Sequence, residues 1–162
     1  PNTVSKSIKS FKGYPIKLLT IHLSGGSSMI KSALVSSKSI NAKCIGVSIL
    51  TSLNEEESKE VYNQEILKTV FSMFKLANET DIDGVVCSPH ELKLAGDLLQ
   101  NKIKITPGIR LTDSDSDDQF RVMNPKEAID LGATYLVIGR PITSHKDKAS
   151  AFEKIYQSIY EE

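Results

Sequence analysis

The sequence predicts an α/β fold with a parallel β-sheet, and two features of the sequence support this prediction. Short apolar segments rich in β-branched residues recur along the chain, and their nearly continuous hydrophobicity is typical of strands buried on both faces. These segments are residues 17–23, 43–50, 84–87, 103–106 and 135–139. The stretches between them have helical periodicity, and regular alternation of strands with helices indicates a parallel sheet.

The intervening stretches carry apolar faces or residues that begin and end helices. A leading helix is predicted from about Thr3 to Phe11. Within residues 61–77, one apolar face is predicted to contain Ile66, Leu67, Val70, Phe71, Phe74 and Leu76. A similar face within residues 89–100 is predicted to contain Leu92, Leu94, Ala95, Leu98 and Leu99. A later helix is predicted to have Asn124 as its N-cap and to end at Gly132, and residues 148–160 form a terminal amphipathic helix.

The length of the chain limits the choice of architecture. The 162 residues are enough for one domain, which we assign to residues 1–162. A closed eight-stranded α/β barrel needs about 250 residues, or roughly 30 for each strand and helix pair, so five pairs need roughly 150. An open, doubly wound sheet of five strands fits the length equally. The choice between part of a barrel and an open sheet therefore depends on the motifs at the strand ends.

Composition argues against several classes of protein. Lys+Arg and Asp+Glu both number 20, so the zero net charge gives no reason to expect nucleic acid or an anionic membrane as a partner. The longest apolar runs are too short to span a bilayer. The two cysteines, Cys44 and Cys87, lie in predicted strands and are expected to be buried free thiols, so we predict a cytoplasmic protein. The three histidines are scattered without carboxylates at ligand spacing, and no metal site is predicted.

Glycine and arginine residues at strand ends predict a phosphate site. Functional residues of α/β folds lie at the carboxyl ends of strands, and barrels commonly bind phosphate in the loops after the last two strands. Arg110 and Arg140 both fall in such loops, and an arginine there can make a charge-assisted contact to phosphate. The alternative is that both arginines pair with surface carboxylates such as Asp113 or Asp147.

The strand-end motifs together resemble those of the orotidine 5'-phosphate decarboxylase family, in its bacterial-type branch. The resemblance runs from Pro1 to about Tyr156. The motifs that carry it are PNTV at 1–4, IHLSGG at 21–26, LTS at 50–52, DGVVCS at 83–88, TPGIR at 106–110, DDQ with RV at 117–122, and VIGRPIT at 137–143. Their order and spacing follow the family pattern. The resemblance implies a TIM (β/α)8 barrel, of which these residues would supply strands four to eight.

The resemblance also implies roles for residues that bind the nucleotide. Arg140 matches the arginine that grips the phosphate, and Gly139 supplies a backbone N–H beside it. Arg110 matches a further nucleotide-contacting arginine. Gln119 matches the glutamine of a loop that closes over the ligand and bridges phosphate and pyrimidine.

Further positions match the pyrimidine side of the family's site. Thr51, with Ser52 beside it, matches the strand-end hydroxyl position that reads the ring, and Pro107 lies in a strand-end segment next to it. Thr3 matches the last residue of the Asp-x-Lys-x-x-Asp-Ile-x-x-Thr signature, which in this family reaches into the neighbouring subunit's site. The resemblance therefore implies a homodimer that binds a pyrimidine nucleotide without metal or organic cofactor.

One departure from the family concerns the catalytic residues. The family's lysine and its flanking carboxylates belong to a motif that would lie immediately before Pro1, so no catalytic residue is assigned within these 162 residues. We expect a preceding segment of roughly 75 to 90 residues, about three strand and helix pairs, to carry them. By themselves, the 162 residues are expected neither to close a barrel nor to decarboxylate orotidine 5'-phosphate.

Two alternative functions are compatible with the same sequence. The first is a related sugar-phosphate barrel enzyme, of the hexulose-phosphate synthase or keto-gulonate-phosphate decarboxylase type. Such an enzyme would keep the phosphate grip but would need a metal, and it would have no use for Gln119 as a lid or Thr51 beside a pyrimidine. The second is a non-catalytic phosphate-binding fragment.

Overall fold

A computed structural model describes residues 1–111 and 122–160 of the chain. Five parallel strands form one sheet whose spatial order is the order in the sequence, β1-β2-β3-β4-β5. The strands are β1 (Leu18–His22), β2 (Lys43–Val47), β3 (Gly84–Val86), β4 (Ile103–Thr106) and β5 (Tyr135–Leu136). An open doubly wound sheet reverses its strand order at a switch point, and this sheet does not.

Helices follow the strands as the alternating pattern predicts. They are α1 (Asn2–Lys9), α2 (Gly26–Lys38), α3 (Glu55–Tyr62), α4 (Ile66–Glu79), α5 (Leu92–Leu98), α6 (Pro125–Asp130), α7 (Arg140–Thr143) and α8 (Lys148–Tyr160). Short 3-10 helices at Leu23–Gly25 and Pro89–Glu91 precede α2 and α5. The predicted α6 boundaries are confirmed, because the Asn124 side chain accepts from the Glu127 N–H at 2.8 Å and Gly132 adopts φ +96° just past the helix.

Alternate strand residues show that the helices cover one side of the sheet. Leu19, Cys44 and Val85 belong to or pack against a single core that also contains residues of the helices. Their strand neighbours point to the other side, where Thr20 and His22 of β1 are exposed. A sequential parallel sheet with helices on one side is the arrangement in an α/β barrel, in which the opposite side faces the barrel interior. The chain is therefore part of a TIM barrel, as the motifs predicted.

Two predictions about the segment between β2 and β3 are wrong in detail. The predicted helix over 61–77 is divided into α3 and α4, because Asn63 adopts a left-handed φ of 53° that ends α3. The periodicity predicts Leu67 and Phe71 on the apolar face of the helix, but they are 65% and 48% exposed. Ile66, Val70 and Phe74 are buried as predicted, so the apolar stripe is narrower than the sequence suggested.

The remaining predicted boundaries shift by small amounts. The predicted strands over 43–50 and 135–139 contain extra residues, because β2 ends at Val47 and β5 at Leu136. The predicted helix over 89–100 is a 3-10 turn followed by α5, and its apolar residues lie in or against the core as expected. Cys44 and Cys87 are free and buried, as predicted.

Candidate functional site

The parallel strands bring the predicted site residues to one end of the sheet. Because all five strands run in the same direction, the segments that follow them lie along the same edge. Arg110 follows β4 and Arg140 follows β5, and these two strands are hydrogen-bonded neighbours. We call the segment that directly follows the carboxyl end of a strand its exit. The two predicted phosphate ligands therefore lie in the exits of adjacent strands, the position at which barrels commonly bind phosphate.

Arg110 is held in place by backbone and side-chain contacts. Its side chain is buried, with the residue only 7% exposed, and Nη1 donates to the Ile109 carbonyl at 2.8 Å. The Arg110 N–H donates to the Met123 carbonyl at 3.0 Å, and the Met123 N–H donates to the Gly108 carbonyl at 3.1 Å. Gly108 adopts φ +78°, a conformation that favours glycine. The turn after β4 is thus fixed against the segment that leads into α6.

Arg140 differs from Arg110 in being exposed. It is the first residue of the four-residue α7, and Gly139 immediately precedes that helix. A Cβ placed on Gly139 would meet no atom of the described structure within 4 Å, so there is open space beside this backbone. An exposed guanidinium next to an open glycine backbone is suited to contact an anionic ligand from solution.

Thr51 and Ser52 lie in a tight turn after β2. The Leu53 N–H donates to the Leu50 carbonyl at 3.1 Å and closes this turn. Thr51 is half-buried and Ser52 is exposed. Directly after the turn, the Asn54 side chain accepts from the Glu57 N–H at 3.0 Å, and the Glu57 carboxylate accepts from the Asn54 N–H at 2.9 Å. This capping box fixes the start of α3.

The other predicted residues are placed at different points around the sheet. Pro107 is half-buried and follows β4 directly. Thr3 is exposed on α1, where it lines a cavity of about 490 Å³ together with Thr20 and His22 of β1. Thr3 therefore lies at the β1 edge of the sheet, whereas Arg110 and Arg140 lie toward the β5 edge. Gln119, with the neighbouring Asp117, Asp118 and Arg121, falls outside the described residues.

A buried polar network behind the strand ends was not identified from the sequence. The Glu91 carboxylate is 1% exposed and accepts from the Ser88 N–H at 3.0 Å, while the Ser48 hydroxyl lies 3.4 Å from the same oxygen. Ser88 and Glu91 form a capping box at the start of the 3-10 turn. The pattern Ser-x-x-Glu before an apolar helix would have indicated this box in the sequence.

Two titratable groups near the amino-terminal ends of the strands have shifted pKa values. Burial raises the pKa of the Cys44 thiol to about 12, and the nearby Asp83 carboxylate contributes in the same direction. Just before β3, a hydrogen bond from Lys102 lowers the pKa of Asp81. Over residues 1–111 and 122–160, no group of three or more His, Cys, Asp or Glu side chains is arranged to hold a metal ion. In the same ranges, none of the helices has the length and apolar character needed to cross a bilayer.

The fold and the strand-end arginines define a class of protein, a barrel-type α/β protein with a candidate phosphate site at the carboxyl ends of its last strands. Comparison with known proteins identifies the family within that class. The family model for orotidine 5'-phosphate decarboxylase / HUMPS matches residues 1–155. The chain therefore belongs to the orotidine 5'-phosphate decarboxylase / HUMPS family, as the motifs indicated.

Individual relatives agree with this family assignment. The orotidine 5'-phosphate decarboxylase of Ehrlichia chaffeensis is 43% identical over 162 residues, which cover 98% of this chain and 70% of the relative. That of Wolbachia pipientis subsp. Culex pipiens is 41% identical over 161 residues, covering 98% of this chain and 71% of the relative. The crystal structure of the Lactobacillus acidophilus orotidine 5'-phosphate decarboxylase superposes with a TM-score of 0.81 at 31% identity, covering 99% of this chain and 71% of that one.

Proposed function

We propose that this protein is a carboxy-lyase that converts orotidine 5'-phosphate to uridine 5'-phosphate and carbon dioxide, a step of pyrimidine biosynthesis. The observation that carries the proposal is the similarity to curated decarboxylases at 41% and 43% identity over 98% of the chain. The position of Arg110 and Arg140 on adjacent strand exits supports it independently, because the substrate carries a phosphate.

The phosphate would be bound at the exits of β4 and β5. Arg140 is exposed and can reach a ligand from solution, and the open backbone at Gly139 gives a phosphate oxygen room to approach. Arg110 is buried and fixed, so its guanidinium offers a charge that is already oriented. Binding energy gained from the phosphate, remote from the reacting carbon, can be used to lower the barrier of the chemical step.

The pyrimidine would be read at the exits of β2 and β4. Thr51 and Ser52 offer hydroxyl groups on a turn closed by a backbone hydrogen bond, and Pro107 contributes an apolar surface without a backbone N–H. Gln119 would close over the ligand and contact both the phosphate and the ring. Such a closure would exclude water from the reacting carbon.

The chemistry itself would depend on residues outside this 162-residue sequence. The family's lysine donates a proton to the carbon that loses carbon dioxide, and its flanking carboxylates preorganise the site electrostatically. The reaction would require no metal or organic cofactor. We propose that the 162 residues by themselves bind the nucleotide and do not decarboxylate it.

Two further properties belong to the same proposal. The protein would act in the cytoplasm as a homodimer, in which Thr3 approaches the neighbouring subunit's site. Thr3 is exposed on α1, which is compatible with a contact of that kind. Sedimentation of the protein with and without a Thr3→Asp substitution would test the dimer, because a buried negative charge at the contact should dissociate it.

Decarboxylation can be assayed directly from the absorbance change when orotidine 5'-phosphate becomes uridine 5'-phosphate. The assay would use the 162-residue chain alone and the same chain mixed with the N-terminal segment of the Ehrlichia chaffeensis relative that precedes the matched region. We expect no turnover from either component alone and measurable turnover from the mixture. Turnover by the 162-residue chain alone would contradict the assignment of the catalytic residues.

A ligand panel separates this function from the related sugar-phosphate enzymes. A pyrimidine-nucleotide enzyme should bind uridine 5'-phosphate more tightly than ribose 5-phosphate, because only the former has a pyrimidine ring to contact Thr51 and Ser52. A sugar-phosphate enzyme should bind both ligands alike and should respond to added magnesium. Equal affinities together with a magnesium effect would favour that alternative.

A further inference from the structure

We propose that Ser48 and Glu91 are positioning residues that fix the turn containing Thr51 and Ser52, and that they thereby set the affinity for the pyrimidine ring. The inference rests on the proposed function, because it assumes that this turn reads the base. Ser48 follows β2, which is separated by β3 from β4 and the predicted phosphate ligand Arg110. Both are buried polar residues, at 1% exposure each.

Ser48 connects the exit of β2 to that of β3. Its N–H donates to the Val86 carbonyl at 3.2 Å, and its hydroxyl donates to the same carbonyl at 3.0 Å. The hydroxyl also lies 3.4 Å from a carboxylate oxygen of Glu91. A hydroxyl has one proton, so it can shift between these two acceptors while the backbone N–H keeps the carbonyl satisfied.

One carboxylate oxygen of Glu91, Oε2, lies close to the exits of both β2 and β3. Besides Ser48, that oxygen accepts from the Ser88 N–H at 3.0 Å, directly after β3. Burying a carboxylate is costly unless hydrogen bonds compensate it, so its position is fixed by the groups that donate to it. Because the donors belong to the ends of neighbouring strands, the carboxylate fixes the position of one exit relative to the other.

The turn that would read the ring lies between this network and a second anchor. The chain passes from Ser48 to Asn54, whose capping box with Glu57 fixes the start of α3. The intervening residues are 49–53, and the hydrogen bond from Leu53 to Leu50 closes the turn within them. The position of such a short segment is determined by the residues at its two ends. A shift at Ser48 therefore displaces the hydroxyl groups of Thr51 and Ser52.

This arrangement predicts a selective effect on ligand binding. Displacing a group that forms a hydrogen bond with the pyrimidine ring lowers the affinity for a ligand that contains this ring. It leaves a sugar phosphate unaffected, because Arg110 and Arg140 lie on other strand exits. The loss for uridine 5'-phosphate should be about three- to tenfold, the range expected for one net hydrogen bond.

The main test compares Ser48→Ala with a matched control, Ser37→Ala. Ser37 is also fully buried, and its hydroxyl also donates to a backbone carbonyl, that of Leu34 at 3.0 Å, but it lies on α2. Affinities for uridine 5'-phosphate and ribose 5-phosphate are measured for both variants and the unmodified chain. We expect Ser48→Ala to weaken binding of the nucleotide alone, and Ser37→Ala to change neither affinity.

A second variant and a ligand-free measurement keep the inference testable if binding is weak. Glu91→Asp keeps the charge but withdraws the carboxylate by one methylene group. Amide hydrogen exchange at Leu53 reports directly on the closure of the turn. Both Ser48→Ala and Glu91→Asp should accelerate exchange at Leu53, and Ser37→Ala should not.

The outcomes distinguish failure of the inference from failure of the proposed function. An unmodified chain that does not prefer uridine 5'-phosphate over ribose 5-phosphate would overturn the proposed function. A clear preference in the unmodified chain, with equal losses for both ligands in Ser48→Ala and unchanged exchange at Leu53, would overturn the positioning role alone. A selective loss for the nucleotide with faster Leu53 exchange is the result that the inference predicts.

Discussion

The backbones of Arg110 and Met123 are joined, with the Arg110 N–H donating to the Met123 carbonyl at 3.0 Å. A parallel bridge between Ile109 and Met123 lies at the same point. Gln119 comes from the segment between these residues in the sequence. Both ends of that segment are therefore fixed at the exit of β4, beside one of the proposed phosphate ligands.

The contacts described above, which anchor this segment, are made by Ile109, Arg110 and Met123. We therefore expect that Gln119 can be replaced without loss of folding. Gln119→Ala should lower the affinity for uridine 5'-phosphate by about three- to tenfold, since one ligand hydrogen bond is lost. The melting temperature should not change. Calorimetric titration and thermal unfolding measure the two quantities, and Gln64→Ala, at an exposed glutamine near α4, is the control. A large drop in melting temperature would mean that Gln119 is structural.

Arg140 should matter more for affinity than for stability. Arg140→Ala should weaken binding of uridine 5'-phosphate about 10- to 100-fold, because a hydrogen bond to a charged group is worth roughly 1.5–3 kcal/mol. Arg140→Lys should recover part of that loss, since it restores the charge but not a two-pronged contact. The side chain is exposed, so neither change should unfold the protein. Unchanged affinity in Arg140→Ala would remove this residue from the phosphate site.

A pair of glycine substitutions tests the packing of the sheet. A Cβ on Gly84 would approach the Ile103 carbonyl oxygen to 2.4 Å, where only backbone movement could relieve the clash. Gly84→Ala should therefore destabilise the protein by about 1–3 kcal/mol. A Cβ on Gly96 in α5 meets nothing within 4 Å, so Gly96→Ala should stabilise it by about 0.5–1 kcal/mol. Denaturant unfolding measures both, and a stabilising Gly84→Ala would show that β3 and β4 are not paired as described.

The thiol of Cys44 should be unreactive in the folded protein. Burial raises its pKa to about 12, so almost none of it is thiolate at pH 8. Cys87 is buried as well, at 1% exposure. A colorimetric thiol reagent should react with neither cysteine until denaturant is added, and then with both. Rapid reaction of Cys44 in native conditions would show that the region around β2 is open to solvent.

The ion pair between Asp81 and Lys102 should make a small, pH-dependent contribution to stability. Lys102 lowers the pKa of Asp81, so the folded state favours the ionised carboxylate. The contribution is present above the pKa of the unfolded state, about 3.9, and is lost as pH falls through the lower folded-state pKa. Asp81→Asn should therefore be slightly less stable than the unmodified protein at pH 7 and equally stable in strong acid. Asparagine tolerates the left-handed φ of 56° found at this position. A stability difference that persists in strong acid would point to a backbone effect.

The order of strands and helices could be predicted from the sequence because each buried strand is a continuous apolar run between amphipathic stretches. The ends of the strands differ from the prediction, because the hydrogen bonds between strands end before the apolar run does. For example, β5 ends at Leu136 instead of residue 139. Leu67 and Phe71 are exposed although they lie on the predicted apolar face, because periodicity does not show how wide the buried stripe of a helix is.

The position of Arg110 and Arg140 after neighbouring strands could be predicted from the sequence, whereas their role as phosphate ligands stays a prediction. That position follows from the rule that parallel strands end at the same edge of a sheet. Glu91 was missed because a glutamate near a helix start is usually solvated, and its burial depends on β2 and β3 being neighbours. Tertiary contacts of that kind are not visible in a local pattern.

The most direct test of the central claim is a titration of the 162-residue chain with uridine 5'-phosphate, with ribose 5-phosphate as the comparison ligand. We expect saturable binding of both ligands, with the nucleotide bound more tightly and its affinity reduced about 10- to 100-fold by Arg140→Ala. Absence of nucleotide binding, or equal affinity for the two ligands, would contradict the assignment of the β2, β4 and β5 exits as a pyrimidine-nucleotide site.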